Sequence, residues 1–138
     1  EIFANDLYAT HTTGITIDSV AFLPEQKDSV VVCSMPLTPR HKNARNAVMG
    51  GALFTLADFT FAVASNLEAV AKGEELSWVS VDSTIHFLAS SLSGTLSATA
   101  HCVKQGRTTC LFRIEIQDDK GKLIASIEST GLKVSPTH

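Results

Sequence analysis

Apolar and polar positions along the chain change period three times. In "EIFANDLYATHTT", Phe3, Leu7 and Tyr8 fall at helical spacing and predict a short helix. "GITIDSVAF" and "SVVVCSMPL" are β-branched runs and predict two strands joined by the turn "LPEQKD". "TPRHKNARN" is polar and basic and reads as a loop. A long apolar run follows and predicts a helix from Gly51 to Lys72, with Gly73 as its terminator. Its first four turns are apolar on nearly every face, as in a helix wrapped by other structure. Four β-rich segments close the chain: "SWVSVDSTIHFLA", "SGTLSATAHCVKQ", "RTTCLFRIEIQDD" and "KLIASIESTGLKV". Their separators "SSLSG", "QGR" and "DDKGK" carry hairpin chemistry. Alternation in "RIEIQ" and "LIASIES" predicts a sheet with one covered face. Two strands, a buried helix and a meander of four strands predict an α+β architecture, an antiparallel sheet curled around one central helix.

No repeat, linker or low-complexity tract divides residues 1–138, so the expectation is one domain. Charged residues make up only 18% of the chain, which predicts that some apolar surface faces a second copy of it. The net charge of -3 provides no global basic field for nucleic acid. Cys33, Cys102 and Cys110 lack Cys-x-x-Cys spacing and are read as reduced, small apolar residues of a cytoplasmic protein. Cys102 and Cys110 flank "KQGR", where a hairpin brings them face to face. The first residues lack a secretory signal pattern. "AVMGGALFTLADFTFAVAS" approaches the length of a membrane span. Asp58 lies near its middle, where a charge costs on the order of 3 kcal/mol, so no membrane association is expected.

That carboxylate is the chemical anomaly of the sequence. Asp58 lies seven residues past Gly51, too far along for an N-cap, and aspartate is a poor interior helix former. It bonds Thr55, Ser65 or a loop amide, or lies on an exposed edge of the helix, or else it activates water or attacks directly. Gly50 and Gly51 stand where the loop turns into the helix. They serve either tight packing or the close approach of a carbonyl to unpaired helix-start N–H groups. Arg40, His41, Lys42, Asn43 and Arg45 form either a solvated basic loop or a mouth for an anionic ligand, helped by Lys104 and Arg107. No histidine spacing fits a metal, and neither a nucleophile elbow nor a phosphate loop is present.

From Gly14 to Val134 the chain resembles the hotdog-fold acyl-CoA thioesterases of the phenylacetate-pathway (PaaI-like) type. "NARNAVMGGALFTLAD" is similar to the family pattern of an Asn, a His-Gly-Gly type helix start and a Leu-Ala-Asp. Asn43 takes the Asn position, Gly50 and Gly51 the glycine pair, and Asp58 the acid. "VSVDSTIHFL" resembles a family strand with Ser80 at a hydroxyl position, and "GTLSATAHCVKQGRTTCLFRIEIQDDKGKLIAS" resembles the closing strands. Met49 departs from the pattern, standing where many members have His. Asn46 replaces a common Gly and tolerates a left-handed turn.

The resemblance implies a hotdog fold, thioester hydrolysis and a site between two subunits of a homodimer or homotetramer. It implies Asp58 of the facing subunit as general base or nucleophile, Gly50 as oxyanion donor, Asn43 holding carbonyl or water, and Ser80 steadying the water. Gly51 and Met49 then border the substrate, and Lys104 and Arg107 are candidates for the phosphates of coenzyme A. Coenzyme A enters as part of the substrate and no separate cofactor is implied. Strict alternation places Ser80 on the face opposite Val79, Val81 and Ile85, so only a bulge or the dimer seam brings it to the helix. A non-catalytic acyl-CoA-binding domain is the alternative. An acyl hydratase is disfavoured for want of a His near Asp58, and a purely structural oligomerisation domain leaves the central motif unexplained.

Overall fold

A computed structural model describes residues 2–23 and 28–135. Six strands form one antiparallel sheet: β1 (Thr16–Leu23), β2 (Asp28–Pro36), β3 (Trp78–Phe87), β4 (Thr95–Gln105), β5 (Thr109–Gln117) and β6 (Leu123–Lys133). Their spatial order is β1-β2-β4-β5-β6-β3. The helix α1 (Gly50–Ser65) packs against β2 through β6, and a short helix α2 (Leu67–Ala71) follows it. The alternating strands put Ala98, Ala100, Ile114, Ile116 and Ile127 under α1, where they are buried with Leu56, Phe61 and Val63. Phe61 meets Phe112 edge to face, with centroids 5.6 Å apart. No helix among the described residues is long and apolar enough to cross a membrane.

The last four strands are not a simple meander. β3 pairs with β6, not β4, so "SSLSG" is a crossing connection between opposite parts of the sheet. β1 and β3 are therefore the two edges. "QGR" and "DDKGK" do make hairpins: the Gly106 N–H donates to the Thr109 carbonyl, and Gly121 turns at φ 83°. Cys102 stands opposite Phe112, while Cys110 stands opposite Gln105, so the two are not direct cross-strand partners, although Cys102 lies near enough to help burial push the Cys110 thiol up. The "LPEQKD" connection has residues 24–27 outside the described ones.

The predicted long helix is two helices. Asn66 interrupts it, and its side chain, 2% exposed, turns to bind the start of β3. Its Oδ1 accepts the N–H groups of Ser77 (2.9 Å) and Trp78 (3.0 Å). Its Nδ2 donates to the carbonyls of Ala62 (2.9 Å) and Trp78 (3.2 Å). The chain then ends α2 at Gly73, which takes φ 69°. At the N-terminus the expected helix is a 3-10 turn (Ile2–Asn5) followed by one π turn (Tyr8–Thr12). Phe3 is buried edge to face on Phe59, but Leu7 and Tyr8 are exposed. Only Phe3 and Ala9 anchor the segment in the core, and isolated stretches this short are marginal as helices.

Candidate functional site

The loop before α1 is tied at three points. His41 is buried, not part of a basic mouth. Its Nδ1 accepts the Thr38 N–H at 3.0 Å, so the proton sits on Nε2, 2.7 Å from the Thr13 carbonyl. The Met49 N–H donates to the His41 carbonyl at 2.7 Å, and the Val48 N–H to the Ser91 carbonyl at 2.9 Å. Between these ties, Asn43 organises the turn. Its Oδ1 accepts the N–H groups of Arg45 (2.9 Å) and Ala47 (3.2 Å), and Asn46 completes the turn at φ 64°. The Asn43 amide nitrogen has no hydrogen-bond partner among the described residues.

This loop delivers an open helix start. The Met49 carbonyl accepts the N–H groups of Ala52 and Leu53, and no side chain caps α1. The N–H groups of Gly50 and Gly51 have no partner among the described residues. They carry the positive end of the α1 dipole. A pocket of about 410 Å³ opens here, lined by Asn43, Arg45, Gly50, Leu53, Phe87 and Ser90 among others. A Cβ on Gly50 would come within 3.0 Å of the Phe87 ring, whereas one on Gly51 would meet nothing within 4 Å. Gly50 thus makes room for an aromatic wall, and Gly51 leaves the mouth open. The Met49 side chain is 53% exposed beside that mouth.

Asp58 lies on an incompletely covered stripe of α1. Gly51, Phe54, Thr55, Asp58 and Ala62 recur at i, i+3, i+4, i+7 and i+11 and are exposed or half-buried, as are Gly50 and Ala52 in the first turn, whereas the rest of the helix is buried. Thr55 donates to the Gly51 carbonyl and Ser65 to the Phe61 carbonyl, so neither is a partner of Asp58. The partner is Ser80, whose Oγ stands 3.4 Å from Asp58 Oδ1. A β-bulge in β3 makes this possible. Ser80 pairs with Gly131 and Asp82 with Thr130, leaving Val81 as the extra residue. The extra residue reverses the alternation upstream of it and turns Ser80 toward the helix. Partial burial raises the Asp58 carboxyl above its ordinary pKa, the Ser80 hydroxyl opposes that, and the nearby charge of Asp6 reinforces it.

Within one chain these groups stay apart. Eight residues of helix rise separate the Gly50 N–H from Asp58 by about 12 Å. Lys104 and Arg107 are farther still. Their hairpin is held to the C-terminal end of α1 by Gln105 Nε2, 3.2 Å from the Ser65 carbonyl. Residues missed in the sequence are Phe87, which walls the pocket, and Asn66, which sets where β3 begins. An amide interrupting an apolar run was the available signal for Asn66.

The sequence model of the thioesterase superfamily matches residues 46–125, a span holding Gly50, Asp58 and Ser80. The acyl-coenzyme A thioesterase PaaI of Escherichia coli K12 is 32% identical over 111 residues, 80% of this chain and 75% of that protein. The structure of E. coli PaaI, from the phenylacetic acid degradation operon, matches with a TM-score of 0.78 at 30% identity. That match covers 97% of this chain and 92% of the other. A hypothetical thioesterase protein of Streptococcus pneumoniae, solved with coenzyme A, matches with a TM-score of 0.76 over 99% of both chains. Its identity of 22% makes this a likeness of fold.

Proposed function

Because the chain belongs to the thioesterase superfamily and has its hotdog fold, we propose that it hydrolyses an acyl-coenzyme A thioester at a site shared by two copies. The thioester carbonyl docks at the start of α1, where the Gly50 and Gly51 N–H groups receive its oxygen. The Asn43 amide nitrogen holds the carbonyl or the incoming water. Asp58 of the facing copy takes a proton from water as the water oxygen attacks the carbonyl carbon. The tetrahedral oxyanion collapses, the C–S bond breaks, and the thiolate leaves. A thiol of pKa about 8.5 needs no strong acid to assist it. Alternatively the carboxylate attacks first, and water opens the mixed anhydride. Ser80 holds the Asp58 carboxylate in place.

The observation that carries this reading is the position of Asp58. It is a half-buried carboxylate on an incompletely covered helix stripe, beside the edge strand β3 and two turns from the open start of its own helix. A second copy paired along β3 offers its own helix start to that acid. Val79, Val81 and Phe87 on this strand are 45%, 55% and 57% exposed, apolar surface that such a dimer covers. A homotetramer is then a dimer of dimers.

Release of free thiol from a panel of short, long and aromatic acyl-CoAs tests the proposal. Asp58→Asn is expected to reduce the rate at least about a hundredfold, the usual reach of a lost general base. An undiminished rate in that variant ends the assignment. Binding of several acyl-CoAs with turnover of none makes the protein an acyl-CoA-binding domain instead.

A further inference from the structure

The approach to α1 is a small hairpin that closes on His41. The His41 carbonyl accepts the Met49 N–H at 2.7 Å, and this pair is the base of the hairpin. Inside it Lys42 bridges Val48, and the Asn43 N–H donates to the Ala47 carbonyl at 2.8 Å. Asn43 lies two residues after His41, and Gly50 lies one residue after Met49. A shift of the His41–Met49 pair therefore moves the Asn43 amide and the Gly50 N–H together. Two kinds of contact hold His41 itself. The local one is the 3-10 turn Pro39–His41, in which the Thr38 N–H donates to Nδ1 and the His41 N–H donates to the Thr38 carbonyl, both at 3.0 Å. The distant one is the Nε2 bond to the Thr13 carbonyl, 2.7 Å, between residues 28 apart in sequence. Its far end is a fixed point. Thr13 is buried with its hydroxyl donating to the Ala9 carbonyl, and the N–H of Ile15, also buried, donates to that carbonyl at 2.9 Å. Without the ring, the hairpin base is held only to its own neighbours in the turn.

Resting on the acyl-CoA reading above, we propose that His41 is a positioning residue for the reaction: its imidazole, through the bond to the Thr13 carbonyl, sets where Asn43 and the Gly50 N–H meet the thioester. The ring touches no reacting atom. It ties the hairpin base to the chain just before β1, so the helix start is aimed by the sheet rather than by the loop alone. A hydrogen-bond donor displaced by about 1 Å loses much of its hold on the transition state while the substrate still docks. The effect of His41 therefore falls on kcat and not on KM.

Two amides separate the local contact from the distant one. His41→Asn places an oxygen near the Nδ1 position and keeps the Thr38 bond, but it is too short to reach Thr13. His41→Gln places its amide nitrogen near the Nε2 position and keeps the Thr13 bond. A cleft of about 500 Å³ lined by Thr13, Thr38 and His41 among others lets water reach the Thr13 carbonyl, so His41→Asn is expected to fold. With an acyl-CoA that the wild type hydrolyses, His41→Asn is expected to lower kcat at least about tenfold and to change KM by less than about twofold. His41→Gln is expected to recover most of kcat. Wild-type kcat in His41→Asn, an equal loss in both variants, or a loss carried mainly by KM would overturn the proposal. Amide hydrogen exchange reads the same tie without turnover. The Met49 N–H is expected to exchange up to about tenfold faster in His41→Asn, the factor one net hydrogen bond is worth, and near the wild-type rate in His41→Gln. The Ile114 N–H in β5 is expected to stay unchanged in both, and an unchanged Met49 rate in His41→Asn ends the proposal. If the wild type hydrolyses no acyl-CoA, the acyl-CoA reading fails, and exchange at Met49 still decides whether His41 holds the helix start.

Discussion

Asn66→Ala removes the joint between α1 and β3 without touching the pocket. The native side chain makes four hydrogen bonds to backbone groups: the Ser77 and Trp78 N–H groups and the Ala62 and Trp78 carbonyls. A net value of about 1 kcal/mol for each bond gives a loss of about 4 kcal/mol. Ser77 and Trp78 are only half-buried, so water recovers part of this, and the expected loss is about 2–4 kcal/mol. For a domain of this length that lowers Tm by roughly 10 °C. Urea unfolding followed by tryptophan fluorescence gives the direct measurement, since Trp78 is the only tryptophan and lies at the joint. Asn66→Asp keeps the acceptor for both N–H groups but loses both donated bonds and buries a charge, so it is also expected to be destabilised. A loss below about 1 kcal/mol for Asn66→Ala would show that these bonds do not hold β3 against the helix.

Three further outcomes follow from particular contacts. Gly131→Ala places a methyl 2.6 Å from Cys110 Sγ and 2.8 Å from the Phe61 ring, both in the core, and is expected to lose about 1–3 kcal/mol in the same unfolding experiment. Asp58→Asn is expected to melt above the wild type at neutral pH while losing activity. The folded-state pKa of Asp58 is raised, so its stabilising contribution is present at low pH and is lost as pH rises through the folded value; the amide removes that burden. For the same reason the acid limb of the rate profile is expected to lie above the ordinary carboxylate range, because the base works only when ionised, and a limb at or below that range would contradict the burial.

Much of the fold was legible locally. The glycine pair marked the start of α1, the separators "QGR" and "DDKGK" marked two hairpins, and alternation in β5 and β6 marked which side chains face the helix. The resemblance marked Asn46 as standing at a glycine position where an asparagine tolerates a left-handed turn, and Asp58 stood out because an acid in an apolar helix demands a reason. Each of these depends on a residue and its near neighbours, through backbone sterics, turn chemistry or a repeat of 2 or 3.6.

The remaining features depend on partners far along the chain. Nothing local in "SSLSG" distinguishes a hairpin from a crossing, and β3 pairs with β6, two strands away from β4. The Val81 bulge exists only relative to the spacing of β6, yet it decides that Ser80 meets Asp58. His41 looked like one cation of a basic loop until Thr13, 28 residues earlier, supplied the carbonyl that buries it. Asn66 could break a helix only because the backbone of Ser77 and Trp78 was waiting for its amide. Local chemistry determined what each segment could become, whereas register, burial and the meeting of Asp58 with Ser80 came from pairings between distant segments, whose energies no short window contains.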